Sequence, residues 1–307
     1  MMPSERNAAP APGETACRET RTSTPRGDLY VRDYPGSGPA FVMLHGFPDN
    51  LRIFEPVAPL LVAAGRRVVL FDFLGFGDSD KPGTGYSFEQ QVEDVLAVVD
   101  DLALERVIPV AHDAGGPAAV NFALRQPART AGVAMLNSFY GNAPTLRFPE
   151  FIEFYATPSL RGLSQHLLRN PTLFAEVLQF QRGQFRAALA ADRRTAYDEF
   201  LGPLIDENFR RQPGAGQAFG QMTAQLFPEV AGNDRNLAEL EQLEIPFQLI
   251  WGAEDPYLNV GVAEDLARHL RTATVTIVSG TGHWPQIDRP DEVARALLSP
   301  DSGLPAH

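Results

Sequence analysis

Asp113, Asp255 and His283 are the residues of this chain whose types and surroundings admit joint chemistry. Asp113 ends Val107-Ile108-Pro109-Val110-Ala111-His112, which reads as a short buried strand, and Ala114-Gly115-Gly116 lead directly into an apolar helix-like segment. In so tight a strand–turn–helix corner the central residue is held in a strained backbone, with its side chain projecting above the sheet. The usual corner of this shape carries serine in a Gly-x-Ser-x-Gly pattern; here the position is aspartate. Serine must lose a proton to a base before it attacks, whereas a free aspartate, with a pKa of about 3.9, is already an anion at neutral pH. A carboxylate nucleophile suits displacement at a saturated carbon, which leaves an alkyl ester that water must then cleave. Taken alone, Asp113 serves equally well as the cap of the following helix.

The partners lie far downstream. Asp255 occurs in Trp251-Gly252-Ala253-Glu254-Asp255-Pro256, and His283 in Gly280-Thr281-Gly282-His283-Trp284-Pro285-Gln286. Each has an ordinary reading by itself: an aspartate before proline is a turn residue, and a histidine is most often just hydrogen-bonded.

These residues need a scaffold. Ala40–Leu44 is a continuous apolar run, the pattern of a strand buried on both faces, and His45-Gly46-Phe47-Pro48-Asp49-Asn50 follows it. A helix-like stretch covers about 53–64, a strand 67–71, a Gly-rich loop 72–82, and a helical pattern about 88–104 with Val92, Val95, Leu96 and Val99 on one face. Gly132–Leu136 reads as a further buried strand, and Leu29–Asp33 as an edge strand broken at Pro35-Gly36. This alternation predicts an α/β protein with a mainly parallel central sheet and right-handed crossovers. Pro109 removes a ladder donor from the Asp113 strand, which calls for a strand end or a bulge there. From residue 137 to about 240 the rhythm stops; Phe- and Leu-rich helical stretches are divided by Pro144, Pro149, Pro158 and Pro171. The alternation resumes with a strand at 246–251, a helix at about 262–270, a strand at 275–278 and a helix at about 291–298.

His45-Gly46-Phe47-Pro48, Asp113 at the corner, Asp255 after a strand and His283 in Gly-His-Trp, in this order, resemble the α/β-hydrolase superfamily. The aspartate narrows the resemblance to its haloalkane dehalogenase and epoxide hydrolase branch, over residues 29–298. The resemblance implies an α/β-hydrolase fold with an inserted helical cap: core over 26–136, cap over 137–240 and core again over 241–300; residues 1–25, rich in Pro, Ala, Thr and charge, are expected to form a disordered tail. It implies a catalytic triad of Asp113, Asp255 and His283, with Glu254 as a solvated loop charge. Some dehalogenases carry a glutamate after the strand leading into the cap; Asn137-Ser138 stand there instead, which favours Asp255. By resemblance the backbone amides of Phe47 and Ala114 form the oxyanion hole, and the 72–82 loop is scaffold.

The two branches differ in what assists the leaving group. Dehalogenases use an indole N–H beside the nucleophile, a position held here by Ala114; the two tryptophans, Trp251 and Trp284, lie beside the acid and the histidine. Epoxide hydrolases use cap tyrosines, and Tyr155 falls at about the expected distance, although a second late tyrosine is absent and Phe219 and Phe227 occupy that region. The epoxide reading, with Tyr155 contacting substrate, is preferred slightly over carbon–halogen hydrolysis. An esterase or lyase activity, or ligand binding without turnover, are further alternatives.

The 307-residue length accommodates this organisation, and 44% hydrophobic residues are ordinary for a globular protein. A net charge of −12 argues against nucleic acid and against anionic membrane surfaces as partners. The single cysteine, Cys17, excludes a disulfide framework, and the N-terminal stretch lacks the apolar core of a secretory signal, so a cytoplasmic enzyme is expected. Its expected partners are a small hydrophobic substrate and water, with no cofactor and no metal; the oligomeric state is left open.

Overall fold

The computed structural model describes residues 17–189, 191–211 and 213–305. Its strands are β1 (Arg18–Thr24), β2 (Gly27–Tyr34), β3 (Ser37–Leu44), β4 (Arg66–Phe71), β5 (Val107–Asp113), β6 (Val133–Ser138), β7 (Phe247–Gly252) and β8 (Ala273–Val278). They form one sheet in the order β1-β2-β4-β3-β5-β6-β7-β8. β1 and β4 both pair antiparallel with β2, and every other neighbouring pair is parallel. This is the mainly parallel, helix-flanked sheet that the alternation predicts. β6 and β7 are buried along their whole length and β5 as far as His112, which explains their continuous apolar composition.

Two expectations are corrected at the N-terminal edge. Residues 18–24 fall in the stretch assigned to a disordered tail, yet they form β1, paired with β2 from Arg18 opposite Asp33 to Thr24 opposite Gly27. Residues 1–16 lie outside the described part. β2, read as the edge, is therefore the second strand. The sequence Arg-Glu-Thr-Arg-Thr-Ser-Thr hides the true edge because only Thr22 of β1 is buried, so no apolar alternation marks it.

Pro109 sits inside β5, opposite Val42 of β3. On the other side β5 meets Thr130 at Val107 and Ala134 at Val110, so three residue steps on β5 face four on its neighbour. The missing proline N–H falls in that irregular interval, where no regular ladder bond is lost.

Helices Phe88–Asp101 and Gly116–Arg125 pack on one another, as do Ala58–Ala63 and Pro290–Leu298. Between β6 and β7 the described residues contain helices and turns but no strand; the helices Glu150–Ala156, Arg161–Leu168 and Pro171–Ala188 come first. Gly202–Arg210, Gly216–Thr223 and Leu226–Asn233 follow. Among the described residues no helix is long and apolar enough to cross a membrane.

Candidate active site

The corner after β5 is as tight as its small residues imply. Asp113 has φ 49°, the left-handed region that non-glycine residues rarely occupy. Two glycines make room for it: a Cβ on Gly46 would collide with the Asp113 carboxylate, and one on Gly115 would come within 2.6 Å of the Leu44 carbonyl oxygen. The Phe47 amide donates to Asp113 Oδ2 at 3.3 Å, and the Ala114 amide also bonds this carboxylate. Ser138 donates to the Asp113 carbonyl at 2.6 Å, fixing the turn from below.

His283 faces this carboxylate. Its Nε2 is 3.8 Å from Asp113 Oδ1 and its Nδ1 is 2.7 Å from Asp255 Oδ2. Asp255 is held on every side: Oδ1 accepts the amides of Tyr257 (2.9 Å) and Leu258 (3.2 Å), and Oδ2 accepts Asn137 Nδ2 (3.0 Å). Asn137, with φ 31°, also accepts the Gly252 amide at 2.7 Å, tying the end of β6 to the end of β7. Glu254 is exposed. The geometry thus brings Asp113, Asp255, His283, Phe47 and Ala114 into one constellation.

The charges interact strongly. Burial raises the Asp113 carboxyl above its ordinary value, opposed by the His283 charge and by the Ala114 and Phe47 amides. Burial acts on Asp255 in the same sense, but the charge and hydrogen bond of His283, the Tyr257 amide and Asn137 hold it below the usual carboxylate range. Burial disfavours the His283 cation, yet Asp255, Asp113 and Asp49 push its pKa up to about 9.

Sequence reading missed a second layer. His112, just before Asp113, is fully buried and points Nε2 at the His283 carbonyl oxygen, 2.8 Å away. Only a protonated Nε2 bonds a carbonyl, so Nδ1 carries the lone pair. Burial, with the His283 charge, keeps this imidazole neutral. Its Nδ1 stands 3.7 Å from Asp49 Oδ2, which accepts the Trp284 indole N–H at 3.0 Å. Burial pushes Asp49 up to about 7, and neither its Oδ1 nor His112 Nδ1 has a partner among the described residues. A charged residue inside the tight loop after β3 was the available signal for Asp49; His112 had none beyond its adjacency to Asp113.

A cavity opens above Asp113 and His283, walled by Phe47, Phe151, Leu178 and Phe185 among other apolar side chains, with Gln181, Arg182, Tyr257 and Trp284 as further polar lining. Tyr155 is not in this wall. It lies 3% exposed among Phe151, Phe154, Phe174 and Phe219, and its buried hydroxyl has no partner. The expected substrate contact is therefore corrected: Phe151 reaches the cavity, and Tyr155, one turn further along helix Glu150–Ala156, packs behind it. Both tryptophans spend their N–H inside the protein, Trp251 on the Leu258 carbonyl at 2.7 Å and Trp284 on Asp49. The 72–82 loop is scaffold: Asp72 accepts the amides of Leu51 (2.8 Å) and Asp78 (2.7 Å).

A sheet of this order with such an elbow defines an α/β-hydrolase. The alpha/beta hydrolase fold family matches residues 39–290, and the chain belongs to it. It is similar to a haloalkane dehalogenase of Mycolicibacterium paratuberculosis, 29% identical over 293 residues, spanning 93% of this chain and 90% of that protein. A haloalkane dehalogenase of Psychrobacter cryohalolentis is 24% identical over 278 residues, spanning 88% and 85%. Among solved structures, the epoxide hydrolase CorEH superposes with a TM-score of 0.73 at 21% identity, covering 92% of this chain and 98% of that one. The protein is thus an enzyme of the α/β-hydrolase superfamily.

Proposed function

We propose that the enzyme hydrolyses a small hydrophobic substrate through an alkyl ester on Asp113, and that the bond broken is carbon–halogen. The observation that carries this reading is Asp113 itself, a carboxylate under the Phe47 amide with its other oxygen facing both the cavity and His283. Asp113 Oδ1 attacks the saturated carbon, and the halide leaves with the bonding pair. Oδ2 stays against the Phe47 and Ala114 amides as the ester carbonyl. His283 Nε2 takes a proton from water, the resulting hydroxide attacks the ester carbon, and the two amides stabilise the oxyanion. Collapse releases the alcohol, which takes its proton from His283, and leaves Asp113 as a carboxylic acid; loss of that proton to solvent restores the carboxylate, so the net products are alcohol, halide and one proton. Asp255 orients the imidazole and balances its charge.

Halide departure is preferred because it needs no acid, and Tyr155, the acid expected for an epoxide, lies outside the cavity wall. Epoxide opening is the second reading; Tyr257 is a phenol that lines the cavity, and it would have to give up its bond to Glu150 to act as the acid. The helical segment over 137–240 acts as the cap that shapes the apolar site, and Cys17 as sole cysteine fits a cytoplasmic setting. A panel of haloalkanes and epoxides, assayed for halide and diol release, tests the assignment: diol release without halide release would reverse the preference.

A further inference from the structure

We infer that the side-chain amide of Gln181 receives the departing atom when Asp113 displaces it; the inference rests on the Asp113 reading and adds the leaving-group donor that reading lacks.

The orientation of Gln181 is fixed by its neighbours. The side chain is 3% exposed on helix Pro171–Ala188, and its Oε1 accepts the Phe151 amide at 3.1 Å. The amide nitrogen therefore points the other way, where Nε2 donates to Tyr257 Oη at 3.4 Å. Tyr257 gives its own proton to Glu150 Oε2 at 2.9 Å, so its oxygen is free to accept. A primary amide has two N–H bonds. One of those on Gln181 is spent, and the second has no acceptor among the described residues.

Tyr257, Trp284 and the two backbone amides of the wall are committed, which leaves His283 Nε2, the base of the later step, and Arg182 beside Gln181. The Tyr257 proton goes to Glu150, and the Trp284 N–H goes to Asp49. The Phe47 and Ala114 amides are on the nucleophile. Arg182 has an unpartnered buried Nε, but its guanidinium is drawn to Asp206, 2.6 Å away.

Position also favours Gln181. Phe185, four residues on and so on the same helix face, stacks on His283 with ring centres 5.7 Å apart. Gln181 thus lies about one 5.4 Å turn from the ring that covers the histidine. Phe151, whose amide bonds Gln181, stacks on Phe219 at 4.9 Å, and Phe219 meets Phe47, whose amide holds Asp113, at 6.1 Å. Gln181 lines the same cavity as Phe47, Asp113 and His283. An amide N–H stabilises an anion without surrendering its proton, so the site suits an atom that leaves as a stable anion.

The test uses a His283→Gln background, in which the ester accumulates on Asp113 and intact mass times its formation from chloro-, bromo- and iodoalkanes. Gln181→Glu keeps an acceptor for the Phe151 amide and removes the donor; Gln181→Met removes the donor without adding charge. Both should slow adduct formation about a hundredfold, the scale of one lost anion-stabilising donor, and most for chloride, the poorest leaving group. Bromide titration, read through Trp284 fluorescence, gives a readout without turnover: saturable quenching in the parent enzyme, lost in both variants. Unchanged adduct rates in folded Gln181→Glu and Gln181→Met overturn the inference. A loss confined to Arg182→Met moves the role to the guanidinium and also overturns it. Absence of any adduct in the His283→Gln background overturns the Asp113 reading itself, while the bromide titration still decides whether Gln181 holds the halide.

Discussion

Nε2 of His283 stands 3.8 Å from Oδ1 of Asp113, outside hydrogen-bond reach. The two groups attract as charges and do not share a proton. A serine nucleophile could not work from that position, because its hydroxyl must be deprotonated by direct contact. An aspartate is already ionised, and the space beside the histidine is where the later water has to act. Removal of the base should therefore stop the second step and spare the first. His283→Gln should react once and stall, carrying the alkyl group of the substrate on Asp113. Intact-protein and peptide mass spectrometry would place the added mass; an unmodified protein that still binds substrate would sink the covalent mechanism.

The pH dependence should differ between the two steps. In the resting enzyme Asp255, Asp113 and Asp49 hold the His283 pKa up at about 9. Ester formation removes the Asp113 charge, so the pKa falls and the histidine becomes a base. Hydrolysis of the ester should rise with pH to an inflection below 9, whereas histidine NMR of the resting enzyme should titrate near 9. Alkylation should fail only on the acid side, as Asp113 protonates. Coincident inflections in the two measurements would mean that Asp113 keeps its charge during turnover. The raised His283 pKa also stabilises the fold: this contribution is complete below the ordinary histidine value of about 6.5 and is lost as pH rises through about 9.

Tyr155→Phe should leave turnover within about twofold of the parent, for any substrate, because Tyr155 is not among the residues that line the cavity above Asp113. It should also stabilise the protein by roughly 1 kcal/mol, since it removes a buried hydroxyl with no partner. Thermal melting and steady-state assays decide it; a selective hundredfold loss on epoxides would restore the tyrosine as an acid.

Asp49→Asn tests the buried layer. Burial raises this carboxyl from its ordinary 3.8 to about 7, so its ionisation in the fold costs stability. That cost is absent below the unfolded value, grows as pH rises between the two values, and is constant above about 7. The asparagine can still accept from Trp284 and can donate toward the bare Nδ1 of His112. Its stabilising effect should be near zero at pH 4 and about 1–3 kcal/mol at pH 8, measured by denaturant melts at both. Equal effects at the two pH values would show that Asp49 does not ionise in the fold.

The parts of this fold that the chain announces are those where local pattern and burial agree. β5, β6 and β7 are largely apolar because both faces are covered. The Asp113 corner is legible because a close approach demands small residues at fixed positions. β1 was not, since an edge strand with one buried residue carries no periodicity. Tyr155 failed for another reason: distance along the chain gave its place in the helix but not which side of Phe151 the cavity lies on. Gln181 and Tyr257 gave no signal, because their polarity acquires meaning only once Phe151 and Glu150, brought from another helix, fix their hydrogens.

The chain leaves and re-enters the sheet through a clasp. Asn142 donates its amide to Asp234 at 2.7 Å, Asn233 donates to the Tyr140 carbonyl at 3.1 Å, and Asn236 donates to the Tyr140 hydroxyl at 3.1 Å. Asn137 and Ser138, just upstream, are already fastened to Asp255 and Asp113. The whole helical insertion thus hangs from a closed neck whose two sides are held together independently of what lies between them. Loop length beyond such a neck costs the fold little. Evolution can exchange or resize the roof while Asp113, Asp255 and His283 keep their places.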